Sequence, residues 1–315
     1  MINRYTNYSA YLRNIFGGDR IQKVAINAGF TCPNRDGTIA RGGCTFCLNE
    51  AFTPSYCTKE KSVAEQIREG IYFHAHRYAH STRFLAYFQS YSNTYKPLDE
   101  LRAIYEAALA EPDIVGLVIG TRPDCVDREK LEYFRSIADR GKYVIIEYGV
   151  ESIFDDTLRR VNRGHDYATA CRAIELTASM GLHVGAHFII GLPGEGRDRA
   201  IQTARAVASL PLTTVKFHQL QIFKGTALEK EYTENPSDFS FYALDEYIDL
   251  FVDMLELLPP ELVIERFAGE APPRFQAMDN GWGAIRNERL VQLLDLRLEE
   301  RATRQGDKYH RVTFC

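Results

Sequence analysis

From Ile114 to Ser152 the chain reads IVGLVIGTRPDCVDREKLEYFRSIADRGKYVIIEYGVES. Two near-continuous apolar runs, Ile114–Ile119 and Tyr143–Tyr148, flank a segment, Asp127–Asp139, that reads as a helix. Apolar runs of strand length without polar alternation mark strands covered on both faces, as in a parallel sheet. The same unit recurs on either side. Strands are expected at Val24–Asn27, Phe84–Phe88, Leu182–Ile190 and Thr214–Leu220. Helices are expected at Ser62–Tyr78, Pro97–Leu109, Asp155–Val161, Tyr167–Met180 and Gly196–Ser209. Alternation of this kind, with right-handed crossovers, wraps a sheet in one direction. Six units rather than eight predict an α/β fold, a partial (βα)6 TIM-like barrel with parallel strands.

After Gln221 the pattern changes. Phe241–Leu258 predicts a long amphipathic helix, Leu262–Ile264 one more strand and Glu288–Glu300 another helix. Residues 1–225 are therefore expected to form the barrel, and 226–315 a C-terminal helical extension packed on it. The 315 residues, 45% hydrophobic and 25% charged, are ample for a buried core and ordinary for a globular protein. Met1–Gly18 has no continuous apolar core of a secretory signal, and no apolar run approaches the ~20 residues of a membrane span. A cytoplasmic protein with no membrane partner is expected, and its seven cysteines read as reduced thiols.

Parallel barrels carry their chemistry at the carboxyl ends of the strands. The polar residues there are Gln89-Ser90-Tyr91, Thr121-Arg122-Pro123-Asp124, Glu147, Glu151-Ser152 and His187. On the same rim, after the first strand, a Gly-rich loop carries Cys32, Cys44 and Cys47, with eleven residues between the first two and two between the last. Three thiolates on a four-iron cluster leave one iron open to a substrate or cofactor. A zinc ion wants four ligands, and Cys57 is the fourth thiol at hand. The spacing alone leaves both readings open.

Several residues have a plain structural alternative. Glu147 or Glu151 would serve equally in an ion pair with Arg159 or Arg160, and His187 as a satisfied core histidine. His74, His76 and His80 share no helix face and read as surface. Cys125 reads as a buried thiol or a substrate-radical partner on the rim, and Trp282 as a packing or loop residue. Net charge is −4, which excludes a general polyanion-binding signature. Residues 1–83 nevertheless carry eleven Lys/Arg against six Asp/Glu, and Arg301, Arg304, Lys308 and Arg311 make the last segment basic.

Further motifs follow in order: Gly120-Thr121-Arg122-Pro123-Asp124, Glu147-Tyr148-Gly149-Val150-Glu151-Ser152, Asn162-Arg163-Gly164-His165 and Gly191-Leu192-Pro193-Gly194-Glu195. Together with the spaced cysteine loop, this ordered set resembles the radical S-adenosylmethionine (SAM) superfamily, in particular its YhcC-type branch related to the Elp3-like enzymes. The usual loop of that superfamily is Cys-x3-Cys-x2-Cys; here it is Cys-x11-Cys-x2-Cys. The resemblance implies that Cys32, Cys44 and Cys47 hold a [4Fe-4S] cluster. It implies that SAM, chelated by the open iron, is cleaved reductively to abstract a hydrogen atom from the substrate. The resemblance also implies SAM contacts: Phe46 beside the adenine, Gln89 and Ser90 beside the methionine amino group, and Glu147 and Glu151 near ribose and methionine. Arg163 is implied to pair with the SAM carboxylate, His187 to reach the ribose, and Gly191 to give the adenine a close backbone approach. Gln89-Ser90-Tyr91 departs from the glycine-rich segment usual at that place.

The same resemblance implies an electron donor such as flavodoxin or ferredoxin, and tRNA as substrate, through the C5 side chain of the wobble uridine. Tyr91, Tyr95 and Arg122 are then the expected stacking partners of a splayed base. Catalytic residues beyond the cofactor contacts are not assigned by sequence. A small metabolite, protein or peptide is the alternative substrate, and a non-catalytic iron-sulfur protein the third reading.

Overall fold

The computed structural model describes residues 4–75, 81–279, 281–282 and 285–310. Apolar strand runs and amphipathic helices alternate in the order expected. They are α1 (Tyr8–Ile15), β1 (Ile21–Ile26), α2 (Val63–Ala75), β2 (Arg83–Phe88), α3 (Leu98–Leu109), β3 (Ile114–Thr121), α4 (Arg128–Asp139) and β4 (Tyr143–Glu151). They continue as α5 (Asp155–Arg160), α6 (Tyr167–Ser179), β5 (His183–Ile190), α7 (Arg197–Ser209) and β6 (Thr214–Gln219). The last are α8 (Ala227–Glu234), α9 (Leu244–Leu257), β7 (Val263–Arg266) and α10 (Asn287–Glu300). Asp127 and Asp166 cap α4 and α6, each side chain accepting a backbone N–H of the first turn.

The seven strands pair in sequence order, β1 to β7, and every pair is parallel. The sheet curls. Laid flat, β1 and β7 would stand about 29 Å apart at ~4.8 Å per strand, yet Lys23 of β1 meets Glu265 of β7 at 2.7 Å. The protein is thus a parallel half-barrel with helices outside. β7, from the region after residue 225, is the seventh strand of the same sheet.

Helices and the outer sheet face share one apolar core. Within it Phe88, Tyr105 and Phe134 stack edge to face at 4.8 and 5.2 Å, each contact worth ~0.5–1.5 kcal/mol beyond burial. Inside the curl lies a smaller cluster of Leu85, Tyr87, Val118, Tyr143 and Ile145, capped by Tyr8, Tyr11 and Leu12 of α1. This helix, absent from the sequence reading, plugs the amino ends of the strands. Its apolar face is only three residues at i, i+3 and i+4, two of them tyrosines, within otherwise polar sequence.

Three strands carry one unpaired residue each: Val115 on β3, Val150 on β4 and Glu265 on β7. Such bulges bend a strand and re-aim the side chains after it. Next to the first of them, a Cβ at Gly116 would lie 2.1 Å from the Tyr143 carbonyl oxygen. Backbone on a central strand cannot retreat. Gly116→Ala is therefore expected to destabilise the fold by about 1–3 kcal/mol, read from its denaturant midpoint; an unchanged midpoint would contradict this packing.

α9 packs on α7, and α10 on α9. Trp282 lies against Tyr247 and donates to the Tyr242 carbonyl. His74 packs edge-on against Tyr56 and Phe73; His76 and His80 lie outside the described residues, as do Arg311 and Cys315. Among the described residues no helix is long and apolar enough to cross a membrane.

Candidate active site

Strand polarity and the α1 plug leave one end of the half-barrel open. The cavity there, about 230 Å³, opens at the carboxyl ends of the strands, and Cys32, Cys44 and Cys47 all line it. Of the other residues singled out in the sequence, Phe46, Gln89, Ser90, Glu147, Glu151, Arg163 and His187 line it too. Gly191 does not. It has φ +91°, and a Cβ there would come within 3.2 Å of the Ser240 carbonyl, so its lack of a side chain serves the C-terminal region.

The cysteine loop is stitched to the segment between α5 and α6. Asn162, at φ 51°, donates from its side chain to the Gly43 carbonyl at 2.8 Å, and Thr45 N–H donates to the Val161 carbonyl at 3.0 Å. Arg35 donates to the Cys47 carbonyl at 3.1 Å. Arg163, buried, has Nη1 3.5 Å from Cys44 Sγ and donates from Nη2 to the Gly149 carbonyl. Glu151, in the left-handed region at φ 71° just after the β4 bulge, stands 3.7 Å from the same guanidinium. Neither Glu147 nor Glu151 pairs with Arg160, which reaches Glu231 and Asp238 instead.

The donor set suits a multi-iron cluster. Among the described residues, no three His, Cys, Asp or Glu side chains converge closely enough to hold a single metal ion. Cys57 is turned away: its thiol donates to the Ala25 carbonyl at 3.0 Å inside the core, and burial pushes its pKa up to about 12. It adds no fourth thiolate to the loop. Cys125 is likewise buried, with its pKa pushed to about 12 by burial and then by Asp124, and does not line the cavity. Asn34 Oδ1 and Arg163 Nε are buried beside the cysteines without a hydrogen-bond partner. Thiols with unsatisfied polar atoms around them fit a charged inorganic group.

The opposite wall was not legible in the sequence. Lys23, Glu147, Lys216 and Glu265 form a closed ring of alternating charge. Its four contacts are Lys23–Glu147 at 3.0 Å, Glu147–Lys216 at 2.6 Å, Lys216–Glu265 at 3.0 Å and Glu265–Lys23 at 2.7 Å. Burial alone would raise the Glu147 pKa; Lys216, Lys23 and His187 outweigh it and hold the carboxyl well below its ordinary value. Burial pulls Lys216 down, whereas at Lys23 two carboxylates overcome it and push the pKa up. Each ammonium faces two carboxylates within 3.0 Å, so the ring is charged at neutral pH. Both Glu147 oxygens are thereby occupied, and His187 stands over one of them at 3.1 Å. Glu147 thus backs His187, and the imidazole carries that polarity into the cavity.

Arg266, brought to the cavity by the β7 bulge, makes no side-chain hydrogen bond or ion pair among the described residues. His218 is neutral, its pKa driven well down by burial and then by Arg266. The signal for this wall was the position of Lys23, Lys216 and His218 within apolar strands, two residues apart in the last case.

Residues 31–207 match the model of the Radical SAM superfamily, and residues 212–293 that of the Radical SAM C-terminal domain. The chain is similar to YtqA of Bacillus subtilis (strain 168), with 33% identity over 309 residues, 98% of this chain and 94% of that protein. It is also similar to YhcC of Escherichia coli (strain K12), with 38% identity over 267 residues, 82% of this chain and 84% of that protein. Its fold resembles that of the archaeal Methanocaldococcus infernus Elp3 lacking its N-terminus, with a TM-score of 0.68 and 18% identity over 90% of this chain and 64% of that one. With most of its cavity wall inside the first matched region, and near full-length relatives on either side, the chain belongs to the radical SAM superfamily, whose enzymes use a [4Fe-4S] cluster and S-adenosylmethionine.

Proposed function

We propose that this radical SAM enzyme acts on tRNA, at the C5 side chain of the wobble uridine. Cys32, Cys44 and Cys47 would hold the cluster, and the walls carrying Phe46, Gln89, Ser90, Glu151 and His187 would hold SAM. Bound there, the pair supplies abstraction of a substrate hydrogen atom, with electrons from a flavodoxin or ferredoxin. The chain's own residues exclude water and orient the reactants. Residues 1–225 carry this site and 226–315 support it, in a cytoplasmic protein.

The observation that carries the substrate is Tyr91. It is a non-glycine residue at φ 65°, a backbone conformation that costs energy and clusters at functional sites. Its ring lines the cavity, remains 37% exposed, and lies 5.8 Å from the Arg35 guanidinium. An exposed aromatic paired with arginine at a cavity entrance is a platform for an unstacked base. The other two candidates are committed elsewhere. Tyr95 bonds Thr38 at 2.8 Å. Arg122 is buried, pairing with Asp124 at 2.7 Å and donating to the Arg163 carbonyl at 2.8 Å.

The C-terminal basic segment does not face the cavity. Gln305 donates to the Leu262 carbonyl, just before β7 begins, which places this segment at the amino ends of the strands. Arg301 pairs with Asp253 at 2.6 Å, Arg304 with Asp307 at 3.2 Å, and Lys308 with Glu256. Phosphate contacts are assigned instead to the rim around Arg35.

The test is nucleoside mass spectrometry of tRNA from a deletion strain, with tRNA retention by the purified protein across a salt series. The C5-substituted uridine set should change, and retention should fall steeply with salt. Tyr91→Ala should weaken retention by about 1–3 kcal/mol, the worth of one stacked base. An unchanged uridine set with no tRNA retained at low salt would transfer the assignment to a small metabolite, protein or peptide.

A further inference from the structure

The three cysteines are not equivalent. Cys44 is buried at 8% exposure, whereas Cys32 and Cys47 are half-buried. Two donors converge on Cys44 Sγ: Arg163 Nη1 at 3.5 Å and Asn34 Nδ2 at 3.7 Å. Both lengths suit a sulfur acceptor.

Each donor is fixed from behind. Arg163 is held through Nη2 by the Gly149 carbonyl, and its own carbonyl accepts from Arg122 Nη1 at 2.8 Å. A Cβ at Gly149 would sit 2.8 Å from Arg163 Nη2 and 2.6 Å from Glu151 Oε1, so any larger residue there would displace both side chains. Asn34, fully buried, gives its amide also to the Asn162 carbonyl, and a Cβ at Gly164 would lie 2.6 Å from its Oδ1. Gly164 has φ +79°, so two separate constraints keep glycine at that position.

The charges nearby leave Arg163 cationic and only partly balanced. Glu151 is 3.7 Å away and half-buried. Asp124 is committed to Arg122 at 2.7 Å. His165 is neutral, its pKa driven to about 3 by burial and then by Arg163. The guanidinium therefore places a weakly screened positive charge against Cys44 first, and more weakly against Cys47, which Arg35 also faces. Reduction adds negative charge to a cluster, and hydrogen bonds and positive charge at a ligand sulfur raise its potential. Removing water from the pair strengthens the effect.

We infer that Arg163 and Asn34 are positioning residues that set the reduction potential of the cluster through Cys44, making electron uptake easier at that corner. This rests on the reading that Cys32, Cys44 and Cys47 hold a [4Fe-4S] cluster. It reassigns Arg163 from the SAM carboxylate to the thiolate.

The test uses full-length reconstituted protein without substrate. Iron is assayed first, then the midpoint potential by redox titration followed by electron paramagnetic resonance, then SAM affinity. Arg163→Gln and Asn34→Ser should keep the iron content of the parent protein. Arg163→Gln should lower the reduced-to-oxidised ratio at a fixed potential about tenfold, which is about 59 mV for a one-electron couple. Asn34→Ser should shift it the same way by less, and Arg163→Lys should restore most of it. Full iron with an unchanged potential in both variants overturns the inference. So does a weakened SAM affinity for Arg163→Gln at unchanged potential, which returns the residue to the carboxylate. If Arg163→Gln does not fold, the Asn34→Ser potential alone decides. A parent protein that takes up no iron overturns the cluster reading itself, a result distinct from the others.

Discussion

Alanine at Cys32, Cys44 or Cys47 is expected to abolish iron binding by the anaerobically reconstituted protein, whereas alanine at Cys57 leaves about four irons and four sulfides per chain. The three cysteines line one cavity, and the fourth thiol of the region does not. Cys57 is engaged by the Ala25 carbonyl on the core side of β1, with its thiol held protonated by burial. A cluster needs thiolates, and each of three protein ligands is required where only three are offered. Iron and sulfide assays with visible absorption read the outcome directly. Equal loss in the Cys57 variant, with zinc found by metal analysis, would sink the assignment.

Glu147→Leu is expected to cost about 3–5 kcal/mol of stability, because a broken buried ion network leaves its remaining charges uncompensated. Glu147 is the corner that meets three partners, Lys23, Lys216 and His187. Its side chain is wholly inaccessible, so water cannot replace them. The pH dependence has a definite direction. The folded carboxyl lies well below the unfolded value of 4.5. Its stabilising contribution is therefore full above that pH and is lost as pH falls toward the folded value. Denaturant unfolding at pH 7 and again below pH 4.5 should show parent and variant converging on acidification. A constant gap across that range would show that the ring is not the source.

The strands were legible because their hydrophobic runs need no partner to be recognised. Phe84–Phe88 and, but for Val115, Ile114–Ile119 are buried. The cysteine loop was legible from spacing as a candidate metal site, with cluster and zinc both open until the ordered motifs after it were read. The plug α1 was not, because Tyr8, Tyr11 and Leu12 make a core face only against the inner side of β2, β3 and β4. The charged ring was hidden for a different reason. Lys23 and Glu265 are 242 residues apart, and their meeting depends on curl and on one bulge in β7. Bulges at Val115, Val150 and Glu265 carry no reliable mark in sequence. They let two adjacent residues face inward, as Glu265 in the ring and Arg266 on the cavity wall do. Basic composition was legible too, but not its destination. At the C-terminus it answers the acidic side of α9 rather than a phosphate.

The alternating ring also constrains how this chain can change over generations. A lone neutral exchange at any of Lys23, Glu147, Lys216 or Glu265 leaves an uncompensated charge in a buried network, and a reversal leaves two. A viable path to an uncharged floor must change a lysine and a glutamate together, in pairs that range from neighbouring strands, Lys216 and Glu265, to the two ends of the sheet, Lys23 and Glu265. Divergence is then easiest outside the ring, at Arg266, where the wall can be rewritten for a new guest without disturbing the square beneath.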